Sequence, residues 1–222
     1  MVPIDRIIER QDWDSLAPHL LKVDANFDET TEKLRRYARA VLEWNGRVSN
    51  LISFNDMPRI VDRHILESVE PAHWLKSSGA KKWLDLGSGG GFPAIPMVLL
   101  GVDEHWTLVE SRRNKTLFLR KVAEDFGLTS VEVVLDRLEN KVGTSWEAAY
   151  DGFTSRATMT LGPTLDLARH FVRPGGVAFL WKGGRREEEM AADERWQKDW
   201  ELEGLLGIGS GQTVVARFIR KT

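Results

Sequence analysis

The stretch Trp83-Leu-Asp-Leu-Gly-Ser-Gly-Gly-Gly-Phe-Pro-Ala-Ile-Pro-Met97 restricts the fold more than any other part of the chain. An apolar run ends near Asp85, a turn carries Gly87, Gly89, Gly90 and Gly91, and a second apolar run restarts behind Pro93 and Pro96. That is a strand, a glycine turn and a helix. Glycine takes positive φ and leaves backbone amides bare for close approach. Proline is tolerated in a first helical turn, where its missing N–H would have had no partner. From residue 81 onward the same alternation repeats. Strand-like runs fall at 82–86, 105–109, 131–135, 149–154 and 176–181, with helical stretches at about 93–101, 113–126, 160–171 and 185–196. This order predicts an α/β fold with a mostly parallel, doubly wound, Rossmann-like sheet. An alternating strand over 213–220 follows the turn-like Gly207-Ile-Gly-Ser-Gly211, and is expected to pair with a strand near 200–206 as an antiparallel hairpin.

The first third reads differently. Leu34, Tyr37, Ala38, Val41, Leu42, Asn45 and Val48 recur at helical spacing along one stripe. Thr30 or Thr31 is the expected N-cap, and Gly46 weakens the last turn. A second helix is expected over about Met57 to Lys76, on Ile60, Val61, Ile65, Leu66 and Val69. Residues 1–80 are therefore read as a helical cap and 81–222 as the ligand-binding core.

Position alone makes the glycine turn a ligand turn, because doubly wound sheets bind ligands beyond the carboxyl ends of their strands. A tight turn with no ligand is the competing reading. Two features favour the ligand. Glu110 ends the second strand, 25 positions beyond Asp85, where its carboxylate can accept from both hydroxyls of a ribose. The dinucleotide fingerprint needs glycine at position 92, where this chain has Phe92. The expected ligand carries a ribose but little or no phosphate, which fits S-adenosylmethionine and not NAD.

Composition narrows the class further. Without cysteine there is no disulfide framework, thiolate metal site or cysteine nucleophile, and no metal is expected. A net charge of −2 argues against a generic nucleic-acid coat. The charged N-terminus does not read as a signal peptide, and no apolar run approaches membrane-spanning length. A monomeric cytoplasmic protein with no membrane partner is expected.

With these residues assembled, the chain resembles the class I methyltransferases, and within them the ribosomal RNA small subunit methyltransferase G family, also called glucose-inhibited division protein B. The resemblance rests on Glu43-Trp-Asn-Gly-Arg-Val-Ser-Asn-Leu51, Asp62-Arg-His-Ile-Leu-Glu-Ser68 and Asp85-Leu-Gly-Ser-Gly-Gly-Gly-Phe-Pro93. It continues through Lys115-Thr-Leu-Phe-Leu119, Asp136-Arg-Leu-Glu139, Ser155-Arg-Ala157 and Leu180-Trp-Lys-Gly183, covering about residues 30 to 220. It implies methyl transfer from S-adenosylmethionine to N7 of a guanine in the 530 loop of bacterial 16S rRNA, with the small ribosomal subunit as partner. Carried over by position, Gly87 and Phe92 line the methionine end of the cofactor, Leu138 and Glu139 hold the adenine, and Arg156 sits at the reacting end. Asp85, Gly89, Gly91 and Glu110 complete the cofactor set from the wider fold. The chain departs from the family at Ile52, where threonine is usual, at Glu67, where aspartate is usual, at Ala94, where glycine is usual, and at Asn114-Lys115, which replaces a Lys-Arg pair.

The chemistry agrees with what is missing. Tyr150-Asp-Gly-Phe-Thr-Ser-Arg-Ala157 carries no Asn-Pro-Pro-Tyr-like motif of the kind that orients exocyclic amines. Guanine N7 needs none, since its lone pair lies in the ring plane and no proton has to leave. Arg156 is accordingly assigned to positioning and electrostatics, not to proton transfer. For RNA, Arg112, Arg113 and Lys115, with Arg120 and Lys121, open one basic cluster, and Lys182, Arg185 and Arg186 form another. Asn50, Arg63 and His64 are the cap's contribution. Neighbouring acids make solvated, salt-bridged helix faces the competing account of both clusters. Asn45 reads as a satisfied amide, and Trp181 as the nearest candidate for base stacking. A methyltransferase for a small molecule or protein, and a non-catalytic S-adenosylmethionine-binding module, are the alternative functions.

Overall fold

A computed structural model describes residues 3–102, 105–209 and 213–222. The parallel strands form on short apolar runs, buried from both faces at the centre of the sheet and only half-buried at the edge strand 131–135. These strands are β1 (Lys82–Leu86), β2 (His105–Glu110), β3 (Val131–Leu135), β4 (Tyr150–Arg156) and β5 (Val172–Lys182), followed by β6 (Trp200–Gly207) and β7 (Val214–Arg220). They make one seven-stranded sheet in the order β3-β2-β1-β4-β5-β7-β6. β1 to β5 pair in parallel, while β7 runs antiparallel to both β5 and β6. The return strand begins at Val214, one residue after the expected Thr213, while Ser210 and Gly211 of the expected hairpin turn lie outside the described residues.

Register explains the sheet's centre. Trp83 of β1 stands beside Trp106 of β2, and their rings stack 5.2 Å apart. On the other side Trp83 faces Gly152 of β4, where an added Cβ would lie 2.4 Å from the indole. The glycine makes room for the tryptophan. Two residues on, Asp85 faces Thr154, whose hydroxyl donates to its carboxylate at 2.6 Å.

The cap contains α1 (Ile4–Glu9), α2 (Ala17–Leu21) and α3 (Phe27–Arg47). α3 starts earlier than the expected threonines: Asn26 is the cap, its side chain accepting from the Glu29 amide, while Thr30 and Thr31 are buried inside the helix. The helix expected over 57–76 is four pieces instead. A 3₁₀ turn (Phe54–Arg59) carries Pro58, a π-helical turn spans Val61–Leu66, and α4 (Glu67–Val69) and α5 (Ala72–Ser77) are separated at Pro71. Proline cannot donate the next helical bond, so an unbroken apolar period did not mean an unbroken helix. Around the sheet lie α6 (Ala94–Leu99), α7 (Arg113–Asp125), α8 (Leu161–Phe171) and α9 (Arg186–Ala192).

One buried cluster runs from Ile7, Leu34 and Tyr37 of the cap to Trp83, Phe118 and Phe179, while a second, around Leu84, Phe153, Leu165 and Phe171, fills the opposite face. Among the described residues, no helix is long and apolar enough to cross a membrane.

A candidate methyltransferase site at the sheet's switch point

The strand order reverses between β1 and β4, so their carboxyl ends open the crevice where such sheets bind ligands. The glycine turn leaves β1 there. Its amides at Gly87 and Ser88 are held by the Val109 carbonyl at 2.9 and 3.3 Å. Gly87, Gly89 and Gly91 have φ of 68°, 56° and 93°, which favour glycine. A Cβ at Gly87 would lie 2.2 Å from Thr158 Cγ2, and one at Gly91 would lie 2.6 Å from Ile95 Cγ1. Beside the turn is a cleft of about 330 Å³ lined by Leu86, Gly87, Ser111, Asp136, Leu138, Glu139, Thr158 and Met159, among others.

Two acids stand behind these walls. Asp85 is buried and has one oxygen on Thr154, while its Oδ2 has no hydrogen-bond partner. Burial pushes its pKa up to about 6, against the lowering effect of its hydroxyl neighbours. Glu110 is also buried and accepts from the Gly89 amide at 3.0 Å and the Arg112 amide at 2.8 Å. This carboxylate pins the turn and keeps lone pairs for a hydroxyl ligand. On the far wall, Leu138 is buried and Glu139 is exposed. Asp136 is held down to about 2 by Lys141, Asn140 and the Arg137 amide.

The cap closes the other side of the turn. Tyr37 Oη donates to the Gly90 carbonyl at 2.5 Å, and Leu51 Cβ lies 3.3 Å from the place of a Gly90 Cβ. Phe92 is turned into the cap, its ring 5.4 Å from Tyr37 and 5.0 Å from His64. Burial and the Arg156 charge push His64 down to about 3, so it stands neutral at pH 7. Asn45 accepts from the amides of Leu51 and Ile52, as the sequence reading expected of it.

Arg156 ends β4, but its donors face the cap. Nη2 donates to the Arg63 carbonyl at 2.6 Å and to Glu67 Oε2 at 2.7 Å, and Nη1 to the His64 carbonyl at 3.4 Å. Glu67 also holds Arg63. Burial raises the Glu67 pKa and lowers that of Arg156, each opposed by the other's charge.

The structure separates the predicted RNA residues. Asn50, Arg112, Arg113 and Arg185 are exposed. Lys115, on α7, reaches toward the glycine turn, its Nζ 3.8 Å from the place of a Gly89 Cβ. Lys182 is a correction: it is buried, donates to the Met159 carbonyl at 2.7 Å and pairs with Glu189 at 3.0 Å, so it offers no charge to a phosphate. Trp181 is another, since its indole is buried and donates to the Glu67 carbonyl at 2.8 Å. Lys121 pairs with Asp125 along α7, as the solvated-face reading had it. The sequence does not single out several residues of the site, among them Ser111, Asp136 and Met159 of the cleft lining, Thr158 beside them, and Tyr37 of the cap. Tyr37 was visible as a polar tip on an apolar stripe; Thr158 gave no signal. A second groove of about 310 Å³, between α3 and α7, is lined by Lys121 of the first basic cluster but by none of the residues expected to hold the cofactor. Among the described residues no group of His, Asp and Glu could hold a metal ion.

The sheet order, the glycine turn and the flanking acids define a class I methyltransferase fold. A solved SAM-dependent methyltransferase from Aquifex aeolicus shares it with a TM-score of 0.55 and 17% identity, over 76% of this chain and 95% of that one. The chain matches the family described as rRNA small subunit methyltransferase G over residues 30–204, and it belongs to that family. A ribosomal RNA small subunit methyltransferase G from Chromobacterium violaceum is 36% identical over 160 residues, 72% of this chain and 74% of that one. One from Novosphingobium aromaticivorans is 30% identical over 214 residues, 96% of this chain and 88% of that one.

Proposed function

We propose that the chain transfers a methyl group from S-adenosylmethionine to N7 of a guanine in the 530 loop of 16S rRNA, with the small ribosomal subunit as substrate, in the cytoplasm and as a monomer. The observation that carries the reading is the cleft at the switch point, open at Gly87 only because that residue has no side chain. Asp85, Glu110, Asp136 and Glu139 stand in or behind its walls. Four carboxylates oppose a diphosphate and favour a ribose-bearing cation. S-adenosylmethionine is such a ligand, and when bound it supplies an electrophilic methyl on a sulfonium centre.

The protein's own residues then have defined tasks. Glu110 accepts from the ribose hydroxyls while it pins Gly89. Leu138 and Glu139 flank the adenine and Gly87 the methionine end, Gly89 and Gly91 set the turn, and Phe92, which the resemblance put beside the methionine, backs the turn from the cap side instead. No residue has to remove a proton when N7 is the acceptor, so orientation and charge placement suffice. Arg156, held by Glu67, keeps its positive charge directed into the cap and away from the base that becomes cationic. Asn50, Arg63, Arg112, Arg113 and Arg185 offer hydrogen bonds and charge to RNA.

The test uses methyl-labelled S-adenosylmethionine and small ribosomal subunits from cells lacking the modification, with naked 16S rRNA in parallel. Labelled 7-methylguanosine mapping to the 530 loop is expected. Label in neither RNA sample, from protein that binds the cofactor, would remove the RNA substrate and leave a small-molecule or protein methyltransferase, or a binding module.

A further inference from the structure

The segment that leaves β4 is held in an unusual conformation. Ala157 has φ of 55°, in the left-handed region that a side chain disfavours. Such a residue persists only where its surroundings over-determine it. Immediately after it, Thr158 presses its methyl group toward Gly87, and Thr158 and Met159 form one wall of the cleft. Thr158 Oγ1 and Ser155 Oγ lie 2.5 Å apart, closing the turn on itself.

Two ion pairs, each with one buried partner (Glu67 and Lys182), bracket this turn. On one side Glu67 of the cap holds Arg156, and Arg156 reaches past it to the carbonyls of Arg63 and His64 in the π-helical turn. On the other side Lys182, at the end of β5, donates to the Met159 carbonyl and pairs with Glu189. Glu189 in turn accepts from the Leu161 amide at 2.9 Å, fixing the first turn of α8. Pairs with a buried partner are weak devices for stability but define geometry well, since the buried charge cannot be left alone. These two hold the backbone at positions 156 and 159, the residues on either side of Ala157 and Thr158.

We propose that Glu67 and Lys182 are positioning residues, which clamp the Ala157–Thr158 turn from both ends and thereby set the cleft wall that faces Gly87 for cofactor binding. This rests on the cofactor reading above. Glu67 acts through Arg156, and Lys182 acts through the Met159 carbonyl; neither touches the ligand. The clamp also gives Lys182 a reason to be a lysine without any RNA contact.

The test needs variants that keep side-chain volume: Glu67→Gln and Lys182→Met. Arg217→Met, which breaks the Arg217–Glu203 pair between β7 and β6, controls for a general loss of stability. Hydrogen exchange of the amides at 157–160 is measured without ligand, and S-adenosylhomocysteine affinity by calorimetry on the folded protein. Faster exchange in that segment and about tenfold weaker binding are expected for Glu67→Gln and Lys182→Met, with neither change in Arg217→Met. Unchanged exchange in the two clamp variants would overturn the clamp. Faster exchange with wild-type affinity would overturn its role in positioning. A wild-type protein that binds no S-adenosylhomocysteine would overturn the cofactor reading and the positioning role with it, while the exchange data would still report separately on the clamp. If Glu67→Gln does not fold, Lys182→Met alone decides.

Discussion

Asp85 and His64 sit on opposite sides of the glycine turn and respond to pH with opposite sign. Burial raises the Asp85 pKa to about 6 from 3.8, so the folded state binds the proton more tightly than the unfolded one. Its contribution is most favourable below pH 4 and is lost as pH rises through 6, on the order of 3 kcal/mol in all. Asp85→Asn should therefore raise the unfolding free energy of the ligand-free protein more at pH 7.5 than at pH 4.5, measured by urea titration. An equal effect at both pH values would mean that the carboxylate charge is not the source. His64 is pushed down to about 3 from 6.5, so its contribution is present above pH 6.5 and lost as pH falls toward 3. Removing it in His64→Gln should flatten the acid side of the stability profile; an unchanged slope between pH 6.5 and 4 would show that the imidazole titrates normally. Gly87→Ala tests the cradle. It forces a side chain into a positive φ and against Thr158, and should weaken S-adenosylmethionine binding at least about tenfold, read by calorimetry.

At the scale of elements, much of the molecule was legible. Alternating strand and helix signals placed all seven strands, and the glycine turn with Glu110 located the cleft, because backbone conformation and burial both leave local traces. What failed was what depends on the third dimension. Ile60 to Val69 kept a helical period across a π-helical turn, and Pro71 ended the run. Lys182 reads as surface charge until Glu189 and the Met159 carbonyl are seen to enclose it. Nothing near Thr158 in sequence shows that it faces Gly87. Two substitutions separate an element's folding role from its role at the site. Asn26→Ala removes the cap of α3 and should cost about 1 kcal/mol without altering ligand affinity. Tyr37→Phe removes the bond to the Gly90 carbonyl in the middle of the same helix, and should cost about 1–3 kcal/mol by leaving a buried acceptor unpaired. That variant should also weaken cofactor binding, because the cap then loses its hold on the glycine turn. Equal affinities in the two variants would make α3 mere packing.

For the molecule as a whole, the question is whether residues 1–80 are an appendage or part of the fold. Their apolar stripe enters the same buried cluster as the sheet: Trp44 lies 5.6 Å from Phe118, Trp74 lies 6.3 Å from Phe179, and Phe92 is covered by Tyr37 and His64. The polar ties run the same way, from Tyr37 to Gly90, from Glu67 to Arg156 and from the Glu67 carbonyl to Trp181. Removing the cap would therefore expose large aromatic surface on one face of the sheet and leave Arg156 without its carboxylate. We predict a single cooperative unfolding transition, with tryptophan fluorescence and far-ultraviolet circular dichroism coincident in urea, as expected of one core. A fragment of residues 81–222 should be insoluble or fail to bind S-adenosylmethionine. Two separated transitions, or a soluble fragment with wild-type affinity, would show that the cap is a separate domain and that the site belongs to the sheet alone. The first outcome would make the cap part of the cofactor site as well as a surface for RNA, since the cap that exposes Asn50, in the loop after α3, also holds the glycine turn in place through Tyr37.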